Sequence, residues 1–259
     1  VRLYANIEKR DKVNGLILAA GKGSRLMPMT NEIPKALVKL KGKPLIFWTL
    51  DHMIDCGIKR IGIVVGYKAE ILIDVISKYY SNLDIVFIKN DEYATSNNMV
   101  SLFKARDFFT EDTLLVECDV ICSQKLMRDL LNAEGDCQIA VSKYNYQTMN
   151  GSVIESNDMV YANRLLTSKM QDSSRYGSYL KTINIYKFGK LFLQKQLAPT
   201  MGWYIQNFDK DSYYELAIGC LIYLNPELCK VRLFEESEWV EIDDIRDLEA
   251  AERKANSFE

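Results

Sequence analysis

Along the first 143 residues, short apolar runs alternate with stretches in which apolar residues return at helical spacing. The runs are "GLILAA" (15–20), "RIGIVVG" (60–66), "DIVFIKN" (84–90), "TLLVECD" (113–119) and "CQIAVSK" (137–143). They are short for helices and bounded by turn residues, and they predict buried strands. Between them lie "PLIFWTLDHMIDCG" (44–57), "KAEILIDVISKYY" (68–80), "NNMVSLFKARDFF" (97–109) and "QKLMRDLLNA" (124–133). These predict helices, the first with Pro44 near its start and Gly57 as its stop. Strand–helix units of this size predict an α/β fold, a Rossmann-like mixed, mostly parallel sheet flanked by helices.

After Lys143 the pattern changes. "GSVIES" and "MVYANRLL" predict short antiparallel strands around an Asn157–Asp158 turn, and "YLKTINIYKF" (179–188) predicts another strand. Helical segments follow at about 189–206 and 212–222, then a strand "WVEIDD" (239–244) and a terminal helix. There is neither an internal repeat nor a low-complexity linker, so the expectation is one domain over 14–257 with an elaboration at about 144–222. Residues 1–13 form a charged lead-in beginning with Val, and the chain closes on a helical pattern without Gly or Pro. A domain cut from a longer chain and a chain that has lost an initiator segment or a tag fit these ends equally well.

Composition narrows the class. The 259 residues are 48% apolar, enough for a sizeable core, and the net charge of −2 advertises neither nucleic acid nor a membrane surface as partner. No apolar run approaches the ~20 residues of a membrane span. Six cysteines include no C-x-x-C pair and several sit in apolar runs, which suits buried thiols in a reducing cytosol. Cys118 and Cys122 lack the companions of a zinc site. The single histidine, His52, lies mid-helix and reads as structural.

Chemistry concentrates where strands end, since ligand crevices of open α/β sheets lie outside the carboxyl ends. The first strand runs into Gly21, Lys22, Gly23, Ser24 and Arg25. A glycine turn lets backbone N–H groups approach an anion, and the cations point to phosphate. The dinucleotide fingerprint fails because Leu26 stands where its third glycine should be, and the P-loop fails because Gly23 follows Lys22. Lys35, in "IPKALVKL", adds a third cation. Alone, each lysine would be an ordinary solvated residue; grouped with the turn, they can neutralise a polyphosphate. Asp119 ends "VECD" and Asp243 and Asp244 end "EIDD". Carboxylates on both sides of a crevice suit Mg²⁺ when phosphates complete its shell. Asp244 reads better as the cap of the terminal helix.

"LAAGKGSRL…PKAL" resembles the signature of the nucleotidyltransferase superfamily with a glycosyltransferase-A-like fold. "VVGY" (64–67), "TSNNMVSL" (95–102), "VECDV" (116–120), "KTINIYKF" (181–188), "YYE" (213–215) and "WVEIDDIRDLEAAE" (239–252) are similar to cytidylyltransferases for phosphocholine. They look closer still to those for 2-aminoethylphosphonate, some of which are fused to a transaminase. The resemblance runs from about Asn14 to Glu252.

It implies that Leu18, Ala19, Ala20, Gly21, Lys22, Gly23 and Ser24 hold the nucleotide, with Arg25 and Lys35 on the triphosphate. Gly66, Asn97, Asn98 and Ser101 would surround cytosine and ribose, and Asp119 and Asp243 would bind Mg²⁺. Lys181 and Asn184 would meet the incoming phosphonate or phosphate. Where relatives often carry Trp-Tyr-Glu before Ile-Asp, this chain has Val240, so a tyrosine contact there is missing. The segment 198–215 adds Trp203, Tyr204, Tyr213, Tyr214 and Glu215, an aromatic and acidic set suited to an ammonium group, or else helix core. Glu215 is the harder to place in a core.

The implied reaction is attack of an ionised phosphonate or phosphate oxygen on the α-phosphorus of CTP, with loss of pyrophosphate. It needs no general base, in keeping with one histidine. The expected substrates are CTP and an amino-alkyl phosphonate or phosphate, with 2-aminoethylphosphonate first and phosphocholine or phosphoethanolamine second. A sugar-1-phosphate with another nucleotide is a further alternative, and a non-catalytic regulatory domain is the rival from outside enzymology. The expected setting is cytoplasmic, without nucleic acid or membrane and with a possible fusion partner.

Overall fold

The computed structural model describes residues 13–255 and 258; the lead-in of residues 1–13 lies, except for Val13, outside them. Strand β1 (Val13–Ala19) is central, with β4 (Arg60–Val65) and β6 (Asp112–Glu117) parallel to it on either side and β5 (Asp84–Lys89) beyond β4. Leu16 and Ile17 are consecutive, point to opposite faces, and are both fully buried. The sheet is therefore covered on both sides, which is why its strands read as unbroken apolar runs. Burial of each such side chain contributes about 1.5–3 kcal/mol.

The covering helices are α1 (Leu45–Asp55), α2 (Ala69–Tyr79), α3 (Asn98–Lys104) and α4 (Gln124–Leu131). All four fall in the segments expected from helical spacing. Two short pairs stand outside this sheet, β2 (Lys39–Leu40) with β3 (Lys43–Pro44), and β7 (Val120–Cys122) with a late strand described below.

Past β8 (Cys137–Lys143) the sheet becomes mixed. Strand β11 (Leu180–Phe188) is antiparallel to both β6 and β8, and β9 (Val153–Glu155) pairs with β10 (Arg164–Leu166). The β9–β10 hairpin was expected, although β10 is much shorter than "MVYANRLL": ahead of it Tyr161 makes an isolated bridge to Lys230 instead. Strand β12 (Lys230–Leu233), parallel to β8, carried no clear sequence signal. One long helical stretch runs from Lys190 through a π-turn at Leu193–Leu197 into α5 (Ala198–Asn207), followed by α6 (Tyr214–Leu224).

The predicted strand at 239–244 is shorter, β13 (Trp239–Glu241), antiparallel to β7. Its last pairing continues as the Ile242 N–H donating to the Asp119 carbonyl at 2.9 Å, and this strap carries Asp243 to the mouth of the sheet opposite Asp119. Helix α7 (Ile245–Lys254) starts there, capped by Asp244, whose side chain accepts from the N–H groups of Arg246 and Asp247. The capping role expected for Asp244 is the one it has.

The five cysteines other than Cys220 are buried, all six with free thiols. His52 is buried in α1, its ring edge toward Trp48, and burial together with the Lys43 charge lowers its pKa. Among the described residues no helix is long and apolar enough to cross a membrane.

Candidate active site

The site lies beyond the carboxyl ends of β1 and β6. Gly23 adopts φ 65°, a left-handed turn that an L side chain would strain, and a Cβ there would stand 2.8 Å from the Cβ of Lys35. Glycine therefore serves both the turn and the passage of Lys35 beneath it. The Lys35 side chain is buried, and its ammonium donates to Asp119 Oδ2 at 2.6 Å and Asp243 Oδ1 at 3.1 Å. Burial works against its charge, but the two carboxylates outweigh that and hold its pKa above the usual lysine range. Arg25 Nη2 reaches Asp243 Oδ1 at 2.7 Å from an exposed position. Arg25, Lys35, Asp119 and Asp243, remote in sequence, thus form one hydrogen-bonded cluster.

Two clefts open on this cluster. The first, about 380 Å³, is lined by Leu18, Ala20, Gly21, Gly23, Ser24, Asn97, Asn98 and Ser101. Of the residues expected around the nucleotide, Ala19, Lys22 and Gly66 do not line it. Lys22 turns outward beside the Tyr67 ring, at 5.9 Å. Gly66 is a packing residue: a Cβ there would come within 2.7 Å of the Ala20 carbonyl. Ser101 Oγ accepts from Asn90 Nδ2 at 3.0 Å. The side-chain amides of Asn97 and Asn98, expected to be free for cytosine, are engaged. Asn97 caps α3 through Oδ1 and donates to Asp211. Asn98 donates to Glu117 Oε1 at 3.1 Å and accepts from the Tyr214 N–H at 3.0 Å.

The second cleft, about 440 Å³, shares Arg25, Asn98, Glu117, Asp119, Tyr213 and Asp243 with the first and adds Ser152, Asn184, Glu215 and Glu241. It is acidic. Glu117 closes β6 and takes the Tyr214 hydroxyl at 2.9 Å. Burial, then the Asp119 and Glu215 charges, raise its pKa well above the carboxylate range. Burial likewise pushes Glu215 up to about 7, opposed by the Lys181 charge and a hydrogen bond from Asn98. Asn98 Nδ2 reaches Glu215 Oε2 at 3.5 Å, and Ser152 Oγ reaches Oε1 at 3.5 Å.

Lys181 is not where an incoming anion would meet it. It is 1% exposed and pairs with Glu241 Oε2 at 3.1 Å while donating to the Thr182 carbonyl. Asn184 sits in an irregularity of β11 with φ 60°, which aims its amide at Glu241 Oε1, 3.0 Å away. Tyr214 is fully buried with its ring edge-on to Tyr186, so it holds Glu117 rather than presenting an aromatic face. Trp203 does not join the site: it is 57% exposed and packs on Phe208. The carboxylates lining this cleft that the sequence reading did not single out are Glu117 and Glu241. For Glu117 a signal existed, a glutamate inside the apolar run "TLLVECDVIC".

A model of the MobA-like NTP transferase domain matches residues 15–203. The chain belongs to this nucleotidyltransferase family. As a nucleotidyltransferase it is 27% identical over 245 residues to the CMP-5'-(3-aminopropyl)phosphonate synthase of Streptomyces rubellomurinus, covering 93% of this chain and 38% of that protein. It thus spans well under half of that relative's length. The CTP:phosphoglutamine cytidylyltransferase of Campylobacter jejuni is 26% identical, over 92% of this chain and 98% of that one. The structure of the CTP:phosphocholine cytidylyltransferase from Streptococcus pneumoniae superposes with a TM-score of 0.78 at 22% identity, over 93% of this chain and 98% of that chain. The fold is the glycosyltransferase-A-like one expected from the sequence.

Proposed function

We propose that this nucleotidyltransferase is a cytidylyltransferase that moves CMP from CTP to an amino-alkyl phosphonate or phosphate, 2-aminoethylphosphonate above others, with release of pyrophosphate. The observation that carries the reading is the pairing of clefts: a glycine turn with Arg25 and Lys35 opens onto a cleft walled by Glu117, Glu215 and Glu241. Anion chemistry at one end and clustered carboxylates at the other suit an acceptor that is a phosphonate at one end and an ammonium at the other. The names of the relatives, a CMP-aminophosphonate synthase and a phosphoglutamine cytidylyltransferase, support the same acceptor class.

Among the described residues lining the acidic cleft, Tyr213 is the single aromatic. Carboxylate, hydroxyl and amide oxygens accept hydrogen bonds, which a primary ammonium donates and a trimethylammonium cannot. A primary amine is favoured over phosphocholine on that ground.

Nucleotidyltransferases of this family generally use a divalent metal ion. Asp119 fits that need: Oδ2 is held by Lys35, while Oδ1 is buried without a hydrogen-bond partner. No cluster of three or more His, Cys, Asp or Glu side chains suited to a metal occurs among the described residues. A cation held by Asp119 and Asp243 would therefore take phosphate oxygens for the rest of its shell, the habit of Mg²⁺. Bound there, Mg²⁺ would supply charge neutralisation at the phosphates.

The chain's own residues do the rest. The Gly21–Ser24 backbone and the free N–H groups of Arg25 bind the triphosphate, and Lys35 fixes Asp119 and Asp243 in place. The acceptor oxygen, already anionic, attacks the α-phosphorus in line as the bond to pyrophosphate breaks. Orientation by the acidic cleft and electrostatic stabilisation of the transferring group account for the catalysis. A screen of acceptors with CTP and Mg²⁺, following pyrophosphate release, tests the reading. Turnover confined to sugar-1-phosphates, or equal use of UTP and ATP, would overturn it.

A further inference from the structure

Two carboxylates in the acidic cleft, the buried Glu215 and the half-buried Glu117, share one hydrogen-bond donor. Asn98 Nδ2 lies 3.1 Å from Glu117 Oε1 and 3.5 Å from Glu215 Oε2. Neither carboxylate forms an ion pair among the described residues, Lys181 being engaged by Glu241. The Tyr214 hydroxyl anchors Glu117, and the Tyr214 N–H anchors Asn98 in turn, so the pair is held at fixed separation. Converging carboxylates with no cation in contact, Lys181 acting on Glu215 only from its pair with Glu241, are expensive in an empty site and become favourable when a ligand brings one. A single ammonium offers three donors, enough to satisfy both oxygens at once.

We propose that Glu117 is a specificity-determining residue which, with Glu215, clamps a primary ammonium of the acceptor. The proposal rests on the acceptor class inferred above and adds to it a second carboxylate, two residues before Asp119 at the mouth of β6.

The test compares 2-aminoethylphosphonate with ethylphosphonate, which has the same chain without the amine. Pyrophosphate release with CTP and Mg²⁺ gives kcat/KM for both, and calorimetry gives binding of both to the enzyme with Mg²⁺, whether or not turnover occurs. The wild type should prefer the amine compound by at least about a hundredfold, two charge-assisted hydrogen bonds being lost without it. Glu117→Gln should shrink that preference by about tenfold, mainly through KM, and Glu215→Gln should do the same. If Glu117→Gln does not fold, Glu117→Asp, which withdraws the carboxylate by one methylene, should shrink the preference in the same direction. An undiminished preference overturns the clamp. Equal losses for both compounds also overturn it, because Glu117 would then act only by supporting Tyr214 and Asn98. Absence of turnover with CTP, with amine-dependent binding still lost in Glu117→Gln, would sink the cytidylyltransferase reading and leave the clamp standing.

Discussion

The two clefts are built by opposite strategies. The phosphate end comes largely from one continuous stretch, Leu18 to Arg25, whose backbone turn at Gly23 presents N–H groups whatever surrounds it. The acidic end draws one residue each from β6, α3, α6, β11 and β13, and its groups are buried or half-buried and bound to neighbouring side chains. A backbone cradle needs only local geometry and tolerates exposure. A charge-selective pocket needs desolvated carboxylates, and only several packed elements can desolvate them.

Removing a group at the junction of the clefts should have the largest effect. Asp119→Asn keeps the shape but removes the carboxylate that Lys35 holds, and turnover at saturating Mg²⁺ should fall by at least about a hundredfold, in line with loss of a principal electrostatic stabiliser. Circular dichroism should show the fold retained. Near-normal activity would remove Asp119 from the metal site.

The acidic cleft should respond to pH through both carboxylates of the clamp. In the ligand-free cleft burial holds the pKa of Glu117 well above the carboxylate range and that of Glu215 at about 7; an ammonium between them would lower both, so acceptor binding releases protons and weakens as pH falls. Then kcat/KM for 2-aminoethylphosphonate should fall by about tenfold as pH drops from about 8 to about 6, one charge-assisted hydrogen bond being lost. Ethylphosphonate, titrating its own phosphonate over that range, supplies the control, and the difference between the two profiles is the readout. Because the folded value of Glu215 lies above the ordinary 4.5, this group's contribution to stability is full below about pH 4.5 and is lost as pH rises through about 7. The melting temperature of the ligand-free enzyme should carry a component that declines over that window in the wild type and not in Glu215→Gln.

Asn98→Ala sharpens the assignment of the shared wall. It should weaken the acceptor's apparent affinity several-fold, about the worth of one hydrogen bond to a charged group, and leave the CTP-to-UTP ratio within about twofold. A collapse of base selectivity would return Asn98 to the nucleotide. The smallest effect belongs to Trp203→Ala, within about twofold on every kinetic constant, since surface substitutions away from a site change little.

Much was legible in the sequence because it is recorded locally. Apolar runs marked β1, β4, β5, β6 and β8, helical spacing marked α1 to α4, and the glycine turn with Arg25 marked the phosphate end. These rest on backbone geometry and periodicity, which a few adjacent residues determine. Strand β12 escaped because it is four residues long and half exposed, so its place beside β8 follows from pairing rather than pattern.

What the tertiary structure alone decided is which polar residues face one another. In sequence, Lys181 and Asn98 read as ligand-facing groups; in the fold, Lys181 is spent on Glu241 and Asn98 on Glu117. Trp203 shared a segment with Glu215 yet points to solvent, while Glu117, lost in an apolar run, closes the cleft. The strap that bonds Ile242 to Asp119 is what sets Asp243 beside Lys35, across 208 residues of chain. Periodicity fixes a residue's face on its own element. Its partners come from the packing of elements distant in the chain, and in a buried site those partners determine charge, reach and role.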